Sequence, residues 1–346
     1  MKAFFYRLKF PWGVHFGQHG IGLEESSIVL SSDSLTSALV NACAVIGKAD
    51  EIINALSSNP PVLTLSSLFP YGPVFENGRA RQAYAFPKPL DNPPLSEDAR
   101  EYLRSSGKDI KKLRYIESKD LIMWLGKEPL SAKDLSNIKN RGMALAKPYN
   151  ADDRSGWYVI ELRPRVALDR DTCNSSIWYC SIVRFVESAG LFGLVTVEDD
   201  KHLKFLENAF ILLGEMGLGG ERTYGIGSFE FQGFEPLENL LPEFTTLFSD
   251  RYLLLSRYFP RKDEITTLSE QLLAWTIEEN RGFVSSGRYG TTLKRKRLFL
   301  FAEGTVSRKP FQGCLVDVTP QIGPSMGLDH KVFRSGLGFW FPLPRL

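Results

Sequence analysis

Six glycines crowd into GEMGLGGERTYGIG, at Gly214, Gly217, Gly219, Gly220, Gly225 and Gly227. Glycine accepts positive φ and lets a second backbone approach closely. Successive amides in such a run converge into a nest for anions. Arg222 adds a planar guanidinium suited to phosphate, and Tyr224 offers a ring on which a base can stack. No Gly-Lys-Ser/Thr follows, which excludes a P-loop. A dinucleotide-binding loop follows a strand and opens a helix. Here a helical pattern comes first and a strand second, so GLGGER is not that loop. Taken alone, the run reads equally as a phosphate-binding loop or as a tight helix-to-strand connection.

His15 and His19 are four apart, a spacing that suits metal ligands on a helix, but Gly13, Gly17 and Gly20 make the segment a loop and no HExxH motif is present. A histidine that activates a 2′-hydroxyl would support RNA cleavage, yet no acid or base of matching role is visible. The strongest basic stretch is Arg281–Lys309, with eight Lys/Arg against one acid, Glu303. Its KRKR at 294–297 abuts LFLF, and on a strand about half of those charges line any one face. This is either a phosphate contact that weakens with salt or a charge-protected edge strand. Arg288, in GRYG, is its leading RNA-binding candidate. Asp33 is expected to cap a helix. The pairs Asp152–Asp153 and Asp199–Asp200 are expected as caps or solvated acids, not metal ligands. Cys43, Cys173, Cys180 and Cys314 form no CxxC pair and have no histidine at zinc spacing. Neither metal nor cofactor is expected, and a reducing cytoplasm fits this cysteine usage.

Positioning these groups requires a framework. The 346 residues suffice for two domains. A net charge of only +2 means that nucleic acid would be met through local patches. No apolar run is long enough to span a membrane, and the start MKAFFYRLKF is too short for a signal peptide. Residues 3–10 read as a strand. A helix then starts at Ser32 or Asp33, carries Leu35, Leu39, Ala42 and Ile46 at helical spacing, and stops at Gly47. Residues 62–90 read as short strands broken by prolines, with Phe69–Pro70 packed in the core. Residues 91–150 are polar and partly helical, an inserted segment with an apolar patch at LIMWL. From Trp157 onward come WYVIELRPRVAL, IWYCSIVRFV and GLFGLVTV, all strand-like. KHLKFLENAFILLG follows, with Leu203, Leu206, Phe210 and Leu213 on one helical face. SFEF is the next strand, and RYLLLSRYF, KRKRLFLFAEG and GFWFPLP are later ones. Each half therefore reads β-α-β-β-α-β. The expectation is an α+β chain of two ferredoxin-like (RRM-like) domains. Residues 1–156 hold the insertion near 91–150, and residues 157–346 hold the glycine-rich loop.

Several segments in order carry a family likeness: FPWGVHFG (10–17), SSDSLTSAL (31–39), LSSLFPYG (65–72), FPKP (86–89), VALDRDT (166–172), GLGGERTYGIGSFEF (217–231) and HKVFRSG (330–336). The series resembles the fourth Csm subunit of type III-A CRISPR effector complexes, in the Cas five-like branch of the RAMP superfamily. The resemblance spans nearly the whole chain and implies two ferredoxin-like RAMP domains. It implies a non-catalytic RNA-binding subunit that grips the 5′ handle of the CRISPR RNA. It also implies two protein partners, the large Cas ten-type subunit and a Csm backbone subunit. Carried over by position, His15, Phe16, Gly17, Gly219, Gly220, Arg222 and Tyr224 are the handle contacts, with Arg165 and Arg170 beside them. The region around Lys111–Tyr115 corresponds to a projecting segment. Two rivals remain open: a metal-independent endoribonuclease that processes repeat RNA, and an adaptor whose loops meet mainly other subunits.

Overall fold

The computed structural model describes the chain except residues 18–22, 77, 153–154, 172–173, 243–248, 286–291, 329 and 344–346. His19, Asp153, Cys173 and Arg288 fall outside the described residues.

The central sheet is built from β1 (Lys2–Lys9), β2 (Leu63–Leu65), β3 (Phe69–Glu76), β4 (Arg79–Pro87), β5 (Tyr115–Glu117), β8 (Gly190–Val197) and β9 (Glu230–Pro236). The intervening ribbon, β6 (Tyr158–Leu168) and β7 (Ser175–Phe185), pairs as a separate two-stranded sheet. The central order is β5–β4–β3–β8–β1–β9, with β2 also paired to β8. Its pairings are antiparallel. This order corrects the expected division at 156/157. Strands β8 and β9 were assigned to a second domain, yet they flank β1 on either side. The reason lies in GLFGLVTV, in which every residue is buried. A continuous apolar run belongs at the middle of a covered sheet, and the place it finds is between β1 and β3.

Each face of the sheet has its own cover. On one side, α1 (Ser32–Val45), α2 (Ala49–Ser57) and α6 (Asp200–Met216) press Leu35, Leu39, Leu206 and Phe210 onto Tyr6 and Leu8. Asp199 caps α6, accepting from the His202 amide at 2.9 Å. On the other side lie α3 (Glu97–Lys112), α4 (Ser118–Leu125) and α5 (Ala132–Ala144), packed on Phe5, Phe192 and Leu194. The inserted segment is thus a second layer of the core. Leu121, Trp124 and Leu125 of LIMWL are buried in it, as is Asp120, which is paired with Arg141. Residues 111–115 end α3 and lead into β5, so they do not project. The element that stands away from the sheet is the β6–β7 ribbon.

The C-terminal region forms β10 (Tyr252–Leu254), α7 (Ile265–Gln271), β11 (Leu272–Ala274), β12 (Ile277–Asn280), β13 (Phe283–Ser285), β14 (Thr292–Lys294), β15 (Leu298–Phe301), β16 (Val306–Ser307), β17 (Gly313–Asp317), β18 (Phe333–Leu337) and β19 (Trp340–Phe341). Its main sheet runs β11–β16–β10–β19. Leu253, Val306 and Phe341 pack into the core that also holds α4 and α5.

A polar junction ties this region to α1. Ser32 Oγ accepts from the Arg257 amide at 2.8 Å, and the Ser32 amide donates to Ser67 Oγ at 2.9 Å. Ser67 in turn donates to Glu303, which lies 3.1 Å from the Arg257 guanidinium. Asp33 accepts from Asn280 Nδ2 at 2.7 Å and lies 3.4 Å from Arg334 Nη1. The N-cap position belongs to Ser31, and Asp33 is fully buried two residues later, within the first turn. Asp33 is therefore a junction residue and not the expected cap. Removing one partner from a buried pair leaves the other charge stranded, at about 3–5 kcal/mol. Arg257→Met is expected to lower unfolding free energy by about that amount in urea denaturation. Glu278→Gln removes the exposed partner of the same arginine and should cost under about 1 kcal/mol. Equal losses would refute this account of the junction.

Candidate nucleic-acid interface

Three segments meet at one end of the central sheet. They are the loop after β1, the glycine-rich run after α6, and the root of the β6–β7 ribbon. Val14 pairs with Val183 through two backbone bonds, of 2.8 and 2.9 Å, along the outer edge of β7. The Gly220 amide donates to the His15 carbonyl at 2.8 Å, and the Gly227 amide to the Gly13 carbonyl at 2.9 Å. Beneath them, Phe10 packs against Phe16, Phe185 and Phe229.

The glycines are there for close approach. A Cβ on Gly219 would strike the His15 carbonyl oxygen, and one on Gly227 would strike the Leu218 carbonyl oxygen. A Cβ on Gly220 would lie 2.8 Å from the His15 ring. Gly217, Gly219, Gly225 and Gly227 also have φ between +77° and +86°, a region that side chains disfavour. Most of the run's amides are already spent. Those of Gly217, Leu218, Gly220, Tyr224, Gly225, Gly227, Ser228 and Phe229 donate to other backbone carbonyls. Among the described residues, three successive amides keep no acceptor: Glu221, Arg222 and Thr223. Glu221 is left-handed, at φ +58°, and Arg222 opens a single 3-10 turn. A left-handed residue followed by a helical one turns successive amides toward a common point, the geometry of an anion nest. The expected nest is thus three amides wide, and the glycines around it are its frame. It opens on a groove of about 510 Å³ lined by Met216, Gly219, Gly220, Glu221, Arg222 and Thr223.

The other sequence candidates take different places. His15 is only 3% exposed, and its Nδ1 donates to the Ser181 carbonyl at 2.7 Å. Phe16 is buried as well. These two side chains shape the floor of the site and do not face solvent, which corrects their expected role as direct contacts. Gly17 remains at the surface. Arg165, on the ribbon, lies 3.2 Å from the Glu221 carboxylate and stacks 4.0 Å above the Tyr224 ring centroid. It is thus a clamp that holds the acid aside. Tyr224 is 64% exposed, and among the described residues no other ring or cation stacks on it. Arg222 is exposed and makes no ion pair among the described residues. Arg170 sits apart, exposed in the turn that closes the ribbon. Burial pushes the Cys180 thiol pKa up, and the Glu221 carboxylate adds to this; a thiol so held is a weak nucleophile.

Two features had no foothold in the sequence reading. One is Glu221, whose left-handed backbone sets the nest. The other is the two-faced ribbon. Directly opposed residues share a face, so Arg163, Arg165, Cys180 and Trp178 lie on one side. Leu162, Val166, Ile177 and Tyr179 lie exposed on the other. The alternation in WYVIELRPRVAL carried that signal.

The RAMP superfamily model matches residues 30–230, and the CRISPR Csm4 C-terminal domain model matches residues 248–343. Among curated proteins, the chain is 28% identical to the CRISPR system Cms protein Csm4 of Mycobacterium tuberculosis, over 95% of this chain and 94% of that one. It is 25% identical to the Csm4 of Thermococcus onnurineus, over 89% of each chain. Among solved structures, a Csm1–Csm4 cassette in complex with pppApA matches with TM-score 0.55 and 19% identity, covering 99% of this chain and 98% of that one. A Csm3–Csm4 subcomplex of the type III-A CRISPR-Cas interference complex matches with TM-score 0.54 and 19% identity over the full length of both.

The two roles of glycine in the run separate experimentally. Gly225→Ala meets nothing within 4 Å and bears only its positive φ, a cost of about 1 kcal/mol. Gly227→Ala bears a similar φ and also strikes Leu218. It is expected to lower the thermal midpoint by several degrees more than Gly225→Ala, and equal midpoints would remove close approach as the reason for the glycine.

Proposed function

We propose, from the premise that this chain belongs to the RAMP superfamily and within it to the Csm4 family, that it is a non-catalytic RNA-binding subunit. It grips the 5′ handle of the CRISPR RNA in a type III-A Csm effector complex, in cytoplasmic antiviral defence. It joins the large Cas ten-type subunit to a Csm backbone subunit, a reading supported by the relatives solved as Csm1–Csm4 and Csm3–Csm4 assemblies. The chain carries two ferredoxin-like units. In the first, β1, α1, β2–β3, β8, α6 and β9 follow one another, and their strands lie in the order β9–β1–β8–β3. Residues 79–189 are inserted between the third and fourth of these elements. In the second, β19–β10–β16–β11 repeats the same order, with the β17–β18 hairpin where the second helix would stand.

The observation that carries the proposal is the nest. Among the described residues, three amides without an acceptor converge beside an exposed Arg222 that makes no ion pair and a tyrosine with one uncovered face. Amides and guanidinium suit a phosphate, and the ring suits an unstacked base. Glu221 would repel phosphate, but Arg165 neutralises it and draws it toward the ribbon. His15, Phe16, Gly17, Gly219 and Gly220 hold the frame, while Arg170 reaches further along the bound strand. The non-catalytic reading is favoured by the burial of His15 and by the proton its Nδ1 donates to a carbonyl.

The test is fluorescence anisotropy with handle RNA. Arg222→Ala is expected to weaken binding about tenfold at low salt, and to reduce the slope of log affinity against log salt by about 1. Tyr224→Ala should cost about tenfold with the slope unchanged. Unchanged affinity in both variants would sink the site assignment. Repeat RNA incubated with the chain without metal should stay intact, and a defined product that depends on His15 would establish the endoribonuclease instead.

A further inference from the structure

A second ribbon, formed by β12, β13, β14 and β15, has two unlike faces. Glu278 pairs with Leu300 and Asn280 with Leu298. This face turns inward: both leucines are buried, Asn280 reaches Asp33, and Glu278 reaches Arg257. Further out, Val284 and Leu293 also turn inward, onto Leu328. Of the alternate residues, Phe301 packs on Tyr258 at the root, and those beyond it face out. Phe299 stands opposite Glu279 and is 57% exposed; Phe283 stands opposite Lys294 and is 60% exposed. Between these two levels, Arg281 and Arg297 converge on Glu279, at 2.5 and 2.8 Å. From root to tip the outer face thus presents an aromatic ring, a guanidinium pair, a second aromatic ring and an ammonium. The two rings stand roughly 13 Å apart along the ribbon, at about 3.3 Å per residue.

We propose that this outer face is a second binding surface for single-stranded RNA, separate from the nest. The described residues from 277 to 301 hold five Lys/Arg against two acids. Glu278 lies on the opposite face of the strand and is paired with Arg257, and on the outer face Arg281, Lys294 and Arg297 outnumber Glu279. Glu279 lies between the two arginines and fixes their positions, and the group of three stays positive. Edge protection accounts for lysines and arginines, but not for two phenylalanines exposed on the same face. The core of a protein–protein interface is depleted in charge, whereas here the rings alternate with cations. Rings for bases interleaved with cations for phosphates are the make-up of a sequence-tolerant single-strand platform. That the polymer is RNA rests on the proposed function; the surface itself rests on the ribbon.

The full chain is titrated against a fluorescein-labelled uridine 12-mer, which lacks any handle sequence. The double variant Phe283→Ala, Phe299→Ala is expected to weaken binding at least tenfold. Lys294→Gln with Arg297→Gln should reduce the salt slope by about 1–2. A uridine 12-mer carrying 4-thiouridine should crosslink to the wild-type chain within 277–301, a readout that does not depend on how a variant folds. Wild-type affinity in both variants, no binding by the wild type at low salt, or crosslinks confined to other segments would each overturn the inference. So would variants that keep RNA affinity and weaken only the association with another protein chain. Loss of handle binding through Arg222→Ala alone tests the nest and leaves this surface untouched.

Discussion

Two backbone hydrogen bonds organise one end of this molecule, from Gly220 to the His15 carbonyl and from Gly227 to the Gly13 carbonyl. The close approach lies beside them: a Cβ on Gly219 would strike the His15 carbonyl oxygen, one on Gly220 the His15 ring, and one on Gly227 the Leu218 carbonyl within the run itself. Because of the two bonds, the loop after β1 becomes a wedge. It pairs with the ribbon on one side, through Val14 and Val183, and carries the glycine-rich run on the other. Segments far apart in sequence then share one rigid corner. The sheet reinforces this, since β1 is the direct neighbour of both β8 and β9. The loop that leaves β1 and the loop that enters β9 must emerge at the same end. The nest at Glu221–Thr223 stands on that corner and inherits its position from it.

This explains which parts of the molecule were readable in the residues and which were not. Helix α6 was legible to its cap, because Asp199 and the spacing of Leu206, Phe210 and Leu213 are local signals. The glycine-rich run was legible as a special backbone, and the order of helix and strand around it removed the nucleotide-loop readings. The partner of a strand is not a local property. GLFGLVTV announces a covered strand but not its neighbours, so β8 was assigned to the wrong half. His15 shows the same limit. A histidine in a glycine-rich loop looks solvent-facing until a carbonyl at Ser181, 166 residues away, accepts its hydrogen bond. Asp33 has the form of a helix cap, and only the arrival of Asn280 and Arg334 makes it a junction. The inserted helices misled through composition. α3 buries only Ala99, Gly107 and Ile110, so a largely polar sequence still forms a packed layer.

Both charged surfaces place a carboxylate among their arginines. Glu221 meets Arg165 at the nest, and Glu279 meets Arg281 and Arg297 on the outer ribbon. An acid in a proposed phosphate site looks self-defeating, because it lowers the local potential. Its return is positional. A free arginine side chain carries about 2 kcal/mol of rotamer entropy, and part of that is lost whenever it is fixed on a ligand. On the outer ribbon Glu279 fixes Arg281 and Arg297 beforehand, and at the nest Glu221 fixes Arg165 against the Tyr224 ring. The exchange favours geometry over raw attraction, which suits a site that selects the path of a strand.

The same logic follows from the charge of the whole chain. At +2 over 346 residues, no long-range field gathers nucleic acid, and the interaction between exposed charges fades within about 8–10 Å in physiological salt. Recognition must then come from groups that act at contact: fixed amides, an open ring face and oriented guanidiniums. Such groups act only if their spacing survives thermal motion, so they have to stand on rigid elements. The nest stands on the corner made by Gly13, His15, Gly220 and Gly227. The outer ribbon stands on Leu298, Leu300, Val284 and Leu293, which pin its inner face. In both places the contact groups are few and the supporting packing is extensive, and it is the packing that would equip a nearly neutral protein for the proposed hold on RNA.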